Sequence, residues 1–146
     1  MDNIRTSWLN QLQANGHRLT KPLKILVNIL AESQFILNPT EVFNLAKKKY
    51  PKIGLVTVYR AMEKMESAGL IERVHMPGGC QSFFQAREGH QHLLICLNCG
   101  KAEYFEGEDL QLFFQKISTQ NGYQIQNHWL QLFGICEICQ NQNSNH

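Results

Sequence analysis

Apolar residues recur every three or four positions along the first third of the chain, and this spacing predicts three helices. The first helix ends at Gly16, and the second starts after the N-cap residue Thr20. The third helix starts at Asn38 and closes before Pro51, since proline cannot continue a helix. The first segment of the chain is therefore expected to be helical.

A fourth helix is predicted over residues 55–69, with Val58, Met62 and Met65 on its buried face. The opposite face carries four side chains that suit DNA contacts: Thr57, Tyr59, Arg60 and Lys64. Two β-prone runs then flank residues 77–79 (Pro-Gly-Gly), a hairpin signal. Helices followed by a hairpin predict a winged helix-turn-helix, in which the later helix enters the major groove of double-stranded DNA. The alternative is a surface helix with a charged outer face.

The second part of the chain reads as a small α/β unit, with strand 92–96, helix 108–122 and strand 123–136. Residues 141–146 are polar, and a loose tail is expected there. The predicted fold class is α+β. Its parts are a winged-helix domain over residues 1–86, an α/β domain over 87–140 and the tail over 141–146.

Composition and charge narrow the class of protein. The chain has 146 residues, of which 43% are hydrophobic and 18% are charged, and this is typical of a globular protein. No apolar run approaches the roughly 20 residues of a membrane span, and the N-terminus lacks the apolar centre of a signal peptide, so no membrane contact and a cytoplasmic location are expected. Residues 1–89 carry twelve Lys and Arg against seven Asp and Glu, whereas residues 90–146 carry two against five. The basic front suggests a polyanionic partner, and a merely solvated charged face is the alternative.

Two CxxC pairs form the strongest motif: Cys96 and Cys99, then Cys136 and Cys139 after 36 intervening residues. Cysteines of a cytosolic protein stay reduced, so pairs at this spacing point to a metal. Four thiolates complete a tetrahedral zinc site with no open position, which makes the zinc structural. Redox-active pairs and an iron–sulfur cluster are the competing interpretations.

Three further residues are candidate ligands. Cys80 has no partner by spacing and lies on the predicted hairpin, shortly before His90 and His92. Residues two apart in a strand point to the same side, so the two histidines could hold one ion. The four cysteines already complete a site, so the histidines serve a second metal or none.

The segments "IGLVTVYRAMEKMESAGLIERV", "GHQHLLICLNCGKAEYFEG" and "GYQIQNHWLQLFGICEIC" closely resemble the ferric uptake regulator family of metal-dependent bacterial repressors. The resemblance runs from about residue 10 to 140. It implies an N-terminal winged-helix DNA-binding domain, a hinge near residues 86–90 and a C-terminal dimerisation domain. It also implies a homodimer whose bound metal fixes the two DNA-binding domains at operator spacing.

The resemblance assigns roles to individual positions. The four cysteines fall on the structural zinc site, and Tyr59 and Arg60 fall on DNA-contacting positions. Glu72 falls where zinc-sensing members place a histidine or aspartate, and Cys80 lies near a cysteine ligand of some of them. His90 and His92 match the histidine-rich segment, and His128 matches a histidine of an additional site, for which Glu108 is the nearest acid.

This chain also departs from the family pattern. The segment "SQFILNP" lacks the histidine of iron- and peroxide-sensing members. Tyr104, Gln85 and Gln111 stand where many members have acidic or other metal ligands, and the spacing from His92 to Cys96 is one residue longer than is common. The missing ligands disfavour a peroxide sensor.

The regulatory ligands predicted from this comparison are Glu72, Cys80, His90 and His92, a borderline-soft set that favours zinc. The alternative is iron(II) or manganese(II), held by His90, His92, Glu108 and His128. Ligands drawn from both domains would let the ion select the closed, DNA-competent arrangement. No HExxH, nucleophile motif or Gly-rich phosphate loop supports an enzyme, although Glu88 beside the histidines could be imagined in a zinc hydrolase. A zinc-stapled protein-interaction module would leave the charge division and the helix–hairpin order unexplained.

Overall fold

The computed structural model describes residues 2–79, 81–87, 91–106 and 110–144. The chain divides into two compact units, Met1–Ala86 and Arg87–His146. The first unit contains four helices and a two-stranded sheet: α1 (Asp2–Ala14), α2 (Lys21–Glu32), α3 (Pro39–Lys49), α4 (Leu55–Ser67), β1 (Ile71–His75) and β2 (Gln81–Gln85). The second contains three strands and two helices: β3 (Gln91–Cys96), β4 (Ala102–Glu106), α5 (Leu110–Asn121), β5 (Gln131–Gly134) and α6 (Glu137–Asn143).

Local hydrogen bonds explain where the helices of the first unit begin and end. The Thr20 hydroxyl accepts from the backbone N–H of Leu23 at 3.3 Å and caps α2. Asn38 and Glu41 form a reciprocal capping box at the start of α3. Gly69 follows α4 with φ +74°, a left-handed conformation that glycine adopts at low cost after a helix. The expected start residues of α2 and α3 are thus confirmed.

The core of the first unit joins all four helices to the hairpin. Each of the four helices and strand β1 contributes fully buried side chains to it, including Leu12, Leu26, Val42, Val58, Met65 and Ile71. The buried face of α4 is the one predicted, and it consists of Val58, Ala61, Met62 and Met65. Burial of this face leaves the opposite face of α4 in solvent.

The hairpin packs beside α4. Strands β1 and β2 pair antiparallel with Ile71 opposite Gln85, and a bridge between Leu37 and Phe83 extends the sheet. The guanidinium of Arg73 in β1 donates to both carboxylate oxygens of Glu66 in α4, at 2.6 and 3.2 Å. This ion pair links the hairpin to the end of the helix. Four helices followed by a hairpin confirm the predicted winged-helix arrangement.

The second unit is a three-stranded sheet in the order β4-β3-β5. Strand β3 pairs antiparallel with β4 and parallel with β5, and Leu93 and Ile95 of β3 are its most buried apolar residues. Helix α5 has no buried residue, and Leu112 and Phe113 on it are exposed. The mixture of helix and sheet agrees with the predicted α+β class. In the described part of the chain, no helix has both the length and the apolar character needed to span a bilayer.

Two sequence expectations for this unit were wrong. The strand expected over residues 123–136 is confined to Gln131–Gly134, because the described part of this chain offers residues 123–130 no neighbouring strand to pair with. Residues 141–143, expected in a loose tail, continue helix α6. Side-chain amides support that helix, since Gln140 Nε2 donates to the Ile135 carbonyl at 2.6 Å and the Ser144 hydroxyl donates to the Gln140 carbonyl at 2.9 Å.

Candidate metal centre and nucleic-acid interface

The four CxxC cysteines are brought together by the pairing of β3 with β5. Cys96 ends β3 opposite Gly134, and the next residue donates its N–H to the Gly134 carbonyl at 2.8 Å. A tight turn with Gly100 at φ +81° then returns the chain past Cys99. Cys136 is the N-cap of α6, and Cys139 lies in the first turn of that helix. Parallel strands thus bring two pairs that are distant in sequence to one end of the sheet.

The geometry of this cluster suits zinc. The four sulfur atoms lie within 4.8 Å of one another, and those of Cys99 and Cys136 are 3.8 Å apart. A tetrahedral ion with zinc–sulfur bonds of about 2.3 Å separates its sulfur ligands by about 3.8 Å. Cys96 and Cys139 are buried, so water has little access to half of the ligand set. The residues present therefore fit a closed structural zinc site, and the cluster leaves no coordination position for a substrate.

The cluster also shifts the pKa values of Cys96 and Cys139 in opposite directions. The backbone N–H of Cys136 donates to the Cys96 sulfur at 3.3 Å, and this bond, with those from Cys99 and Asn98, lowers the pKa of Cys96 to about 6. A hydrogen bond from Asn98 favours the thiolate of Cys139, but burial and the neighbouring sulfurs outweigh it and raise the pKa of Cys139 to about 12. A divalent cation would stabilise all four thiolates together.

A second group of candidate ligands surrounds His92 on β3. Its side chain is only 6% exposed, and its ring centre lies 5.2 Å from that of His128 and 5.7 Å from that of Phe105. The His128 ring in turn lies 4.5 Å from the ring of Phe114 on α5. Two imidazoles thus meet in an aromatic environment, although 35 residues separate them in sequence. The favoured zinc set predicted from the sequence contained His92 without His128, whereas the alternative iron(II) or manganese(II) set contained both histidines.

The remaining regulatory candidates are placed only in part. Cys80, His90 and Glu108 lie outside the described residues, as does Glu88 of the imagined hydrolase. Glu72 is half-buried on β1 opposite Phe84, in the first unit, whereas His92 belongs to the second unit. The predicted set of Glu72, Cys80, His90 and His92 therefore stays a prediction.

Residues that depart from the family pattern make other contacts. Gln85 donates through Nε2 to the Ser33 carbonyl at 3.2 Å, which ties β2 to the end of α2. The Arg87 guanidinium lies 5.3 Å from the centre of the Tyr104 ring. Gln111 is exposed on α5. Gln85 and Tyr104 are therefore not acidic ligands, and both side chains have structural partners.

The outward face of α4 is the candidate nucleic-acid interface. The predicted contact residues Thr57, Tyr59, Arg60 and Lys64 are all exposed on it. They belong to the basic part of the chain, which also includes the three lysines that end α3. A helix that is buried on one face and cationic on the other, beside a hairpin, is the arrangement with which winged helices enter a major groove.

Comparison with known proteins extends over almost the whole chain. The sequence model of the "Ferric uptake regulator family" matches residues 14–133. The "Ferric uptake regulation protein" of Cupriavidus metallidurans is 36% identical over 123 residues, covering 83% of this chain and 85% of that protein. The protein of that name from Neisseria meningitidis serogroup A is 30% identical over 131 residues, covering 89% and 91%.

Solved structures share the fold. A zinc-bound manganese uptake regulator superposes with a TM-score of 0.73 at 26% identity, covering 88% of this chain and 98% of that one. The Vibrio cholerae ferric uptake regulator gives a TM-score of 0.67 at 28% identity, with 86% and 96% covered. A zinc uptake regulator complexed with zinc and DNA gives a TM-score of 0.73 at 16% identity, with 98% and 97% covered, which is a likeness of fold alone.

Proposed function

The chain belongs to the ferric uptake regulator family, whose members are transcription regulators rather than enzymes, and we propose that it is a metal-dependent repressor that binds operator DNA. The observation that carries the proposal is the exposed face of α4, where Thr57, Tyr59, Arg60 and Lys64 stand beside the hairpin of a winged helix. Arg60 and Tyr59 reach base edges, and Lys64 neutralises a phosphate. A cytoplasmic location belongs to this proposal, since the DNA target lies there.

The cysteine cluster of this regulator binds a structural zinc ion. It ties the end of β3 to the start of α6, and those two elements belong to a unit with few buried apolar residues. The ion then stabilises the fold of the second unit and does not act as the switch.

The regulatory ion is proposed to use His92 and His128. A metal–nitrogen bond of about 2.1 Å places each ring centre roughly 3.2 Å from the ion, so two ligands at the tetrahedral angle have ring centres about 5 Å apart. The observed 5.2 Å agrees with that distance. His90 and Glu108 are the candidates for completing this set.

The identity of the sensed metal has two candidate answers. Zinc is favoured by the softness of a set that contains imidazoles, with or without Cys80 and Glu72. Iron(II) or manganese(II) is favoured by the pairing of His92 with His128, because these two histidines belong to the ligand set assigned to those metals. The names of the curated relatives support iron as well.

The working form is proposed to be a homodimer joined through the second unit. Large apolar side chains remain exposed there in the single chain, including Leu112, Phe113, Trp129 and Ile138. Exposed apolar residues at this density are typical of a surface that a partner covers. A second copy of the chain is the partner that a palindromic operator requires.

Metal content and DNA binding test the proposal together. We expect two metal ions per wild-type chain and one, the structural zinc, in His92→Ala and in His128→Ala, measured by elemental analysis. His17→Ala, in the first unit, is the matched control and keeps both ions. Arg60→Ala should lose specific binding to DNA fragments selected by the wild type while keeping both ions. Wild-type protein that selects no DNA sequence with zinc, iron(II) or manganese(II) would refute the proposed function.

A further inference from the structure

Apolar side chains stand on the outward face of α4, where a solvated helix would ordinarily carry polar ones. Leu55, Val56 and Tyr59 are 43%, 63% and 47% exposed. The buried face of the helix is already filled by Val58, Ala61, Met62 and Met65. Packing within the chain therefore does not explain Val56, the most exposed of the three.

Helix stability does not explain Val56 either. A β-branched side chain lowers helix propensity, and valine offers no hydrogen bond to a helix end. An isolated exposed apolar residue is ordinary on a protein surface. The neighbours of Val56 distinguish it, because Tyr59 and Arg60 lie three and four residues further on and share its side of the helix.

The charge around Val56 indicates what covers it. Arg60 and Lys64 are exposed on the same face, and Lys52 is exposed just before the helix. These three cations outnumber Glu63, which is also exposed on α4, and the net positive charge suits a polyanion and disfavours an apolar protein partner. The major groove of DNA is polyanionic at its edges, and the thymine 5-methyl is the apolar group that its base edges present.

We propose that Val56 contacts the 5-methyl group of a thymine in each operator half-site and so sets a base preference that the polar residues of α4 do not supply. The inference rests on the DNA-binding function proposed above. At that position cytosine would place its amino donor against a side chain that has no acceptor. Guanine or adenine would leave a polar edge desolvated against valine. Thymine alone among the four bases matches the side chain.

The test shortens each partner of the contact in turn: uracil removes the thymine 5-methyl from the DNA, and Val56→Ala removes the valine methyl groups from the protein. Operators are selected from a random DNA library with the wild type, and each thymine is replaced in turn by uracil, which lacks only the 5-methyl. Dissociation constants are measured by fluorescence anisotropy at fixed salt. At one thymine position per half-site, the wild type should bind the uracil-substituted operator about fourfold more weakly than the thymine operator. This factor corresponds to one buried methyl group. Val56→Ala should bind the thymine and uracil operators equally at that position.

Controls separate this contact from a change in the helix. Ile4→Ala, an exposed apolar change on α1, should leave every thymine-to-uracil factor as in the wild type. A thymine-to-uracil factor that persists in Val56→Ala and disappears in Thr57→Ser or Tyr59→Ala would overturn the inference and keep the repressor. Equal weakening of all sequences by Val56→Ala would overturn it too, as a general effect on the helix. Failure of the wild type to select any sequence would overturn both the inference and the proposed function.

Discussion

Removal of the structural zinc should unfold the second unit and leave the first one folded. The cysteine cluster joins Cys99 to Cys136 across 36 intervening residues, and the sulfurs of these two cysteines are 3.8 Å apart. A cross-link that closes a loop of this length lowers the entropy of the unfolded chain by the equivalent of about 4 kcal/mol. The metal–thiolate bonds add to that figure.

The rest of the second unit cannot compensate for this loss. A unit of this size, Arg87–His146, is expected to have a free energy of unfolding of only about 3 to 9 kcal/mol. Helix α5 buries no residue within the chain, and the core depends on a few positions such as Leu93 and Ile95. We therefore expect the metal-free unit to be largely unfolded at 25 °C.

The two tryptophans allow the units to be followed separately. Trp8 is buried in the first unit and Trp129 lies in the second, so all tryptophan emission of Trp129→Phe comes from the first unit. Chelation under reducing conditions should leave the Trp8 emission of this variant unchanged while far-ultraviolet circular dichroism falls. Limited proteolysis should then cleave within residues 87–146 and spare the first unit.

Serine substitutions provide the matched comparison. Cys139→Ser should reproduce the effect of chelation. Cys80→Ser should change neither the amount of zinc bound at the structural site nor the folding of the second unit. If the chelated protein keeps its circular dichroism and its protease resistance, the cluster does not hold the unit together.

Three further predictions concern the first unit. Met65→Ala should lower its free energy of unfolding by about 2 to 5 kcal/mol, since the side chain is fully buried, and an unchanged denaturation midpoint in the Trp129→Phe background would contradict the described core. Asn38→Ala removes the capping box of α3 and should cost about 1 kcal/mol in the same assay; a loss below the error of the measurement would argue against the cap. Lys64→Ala should weaken binding to all DNA sequences alike and reduce the slope of log affinity against log salt by about 1, whereas an altered sequence preference would assign Lys64 to a base edge.

Short-range signals in the sequence predicted much of the first unit. Thr20 and Asn38 mark helix starts because their side chains accept hydrogen bonds from backbone groups three residues further on, which is a local interaction. The buried face of α4 followed in the same way from helical spacing. The joining of the two CxxC pairs could be inferred from ligand chemistry, although the parallel pairing of β3 with β5 that produces it could not.

Long-range contacts were predicted less well. Residue spacing did not predict the meeting of His92 with His128, which only the alternative iron(II) or manganese(II) set implied. This contact depends on how β3, α5 and the segment before β5 pack together. Residues 123–130 alternate like a strand but form none, because a strand also needs a partner for its backbone. The Arg73–Glu66 ion pair was likewise missed, since it depends on the position of the hairpin beside α4.

The most direct test of metal-dependent repression is the dissociation constant for a selected operator with and without the regulatory ion. The structural zinc is retained, and zinc, iron(II) or manganese(II) is added at constant salt to the wild type and to His92→Ala. We expect one of these ions to tighten wild-type binding at least tenfold, which corresponds to about 1.4 kcal/mol, and to leave His92→Ala unchanged. Equal operator affinity of the wild type with every ion and with none would contradict a metal switch in this chain.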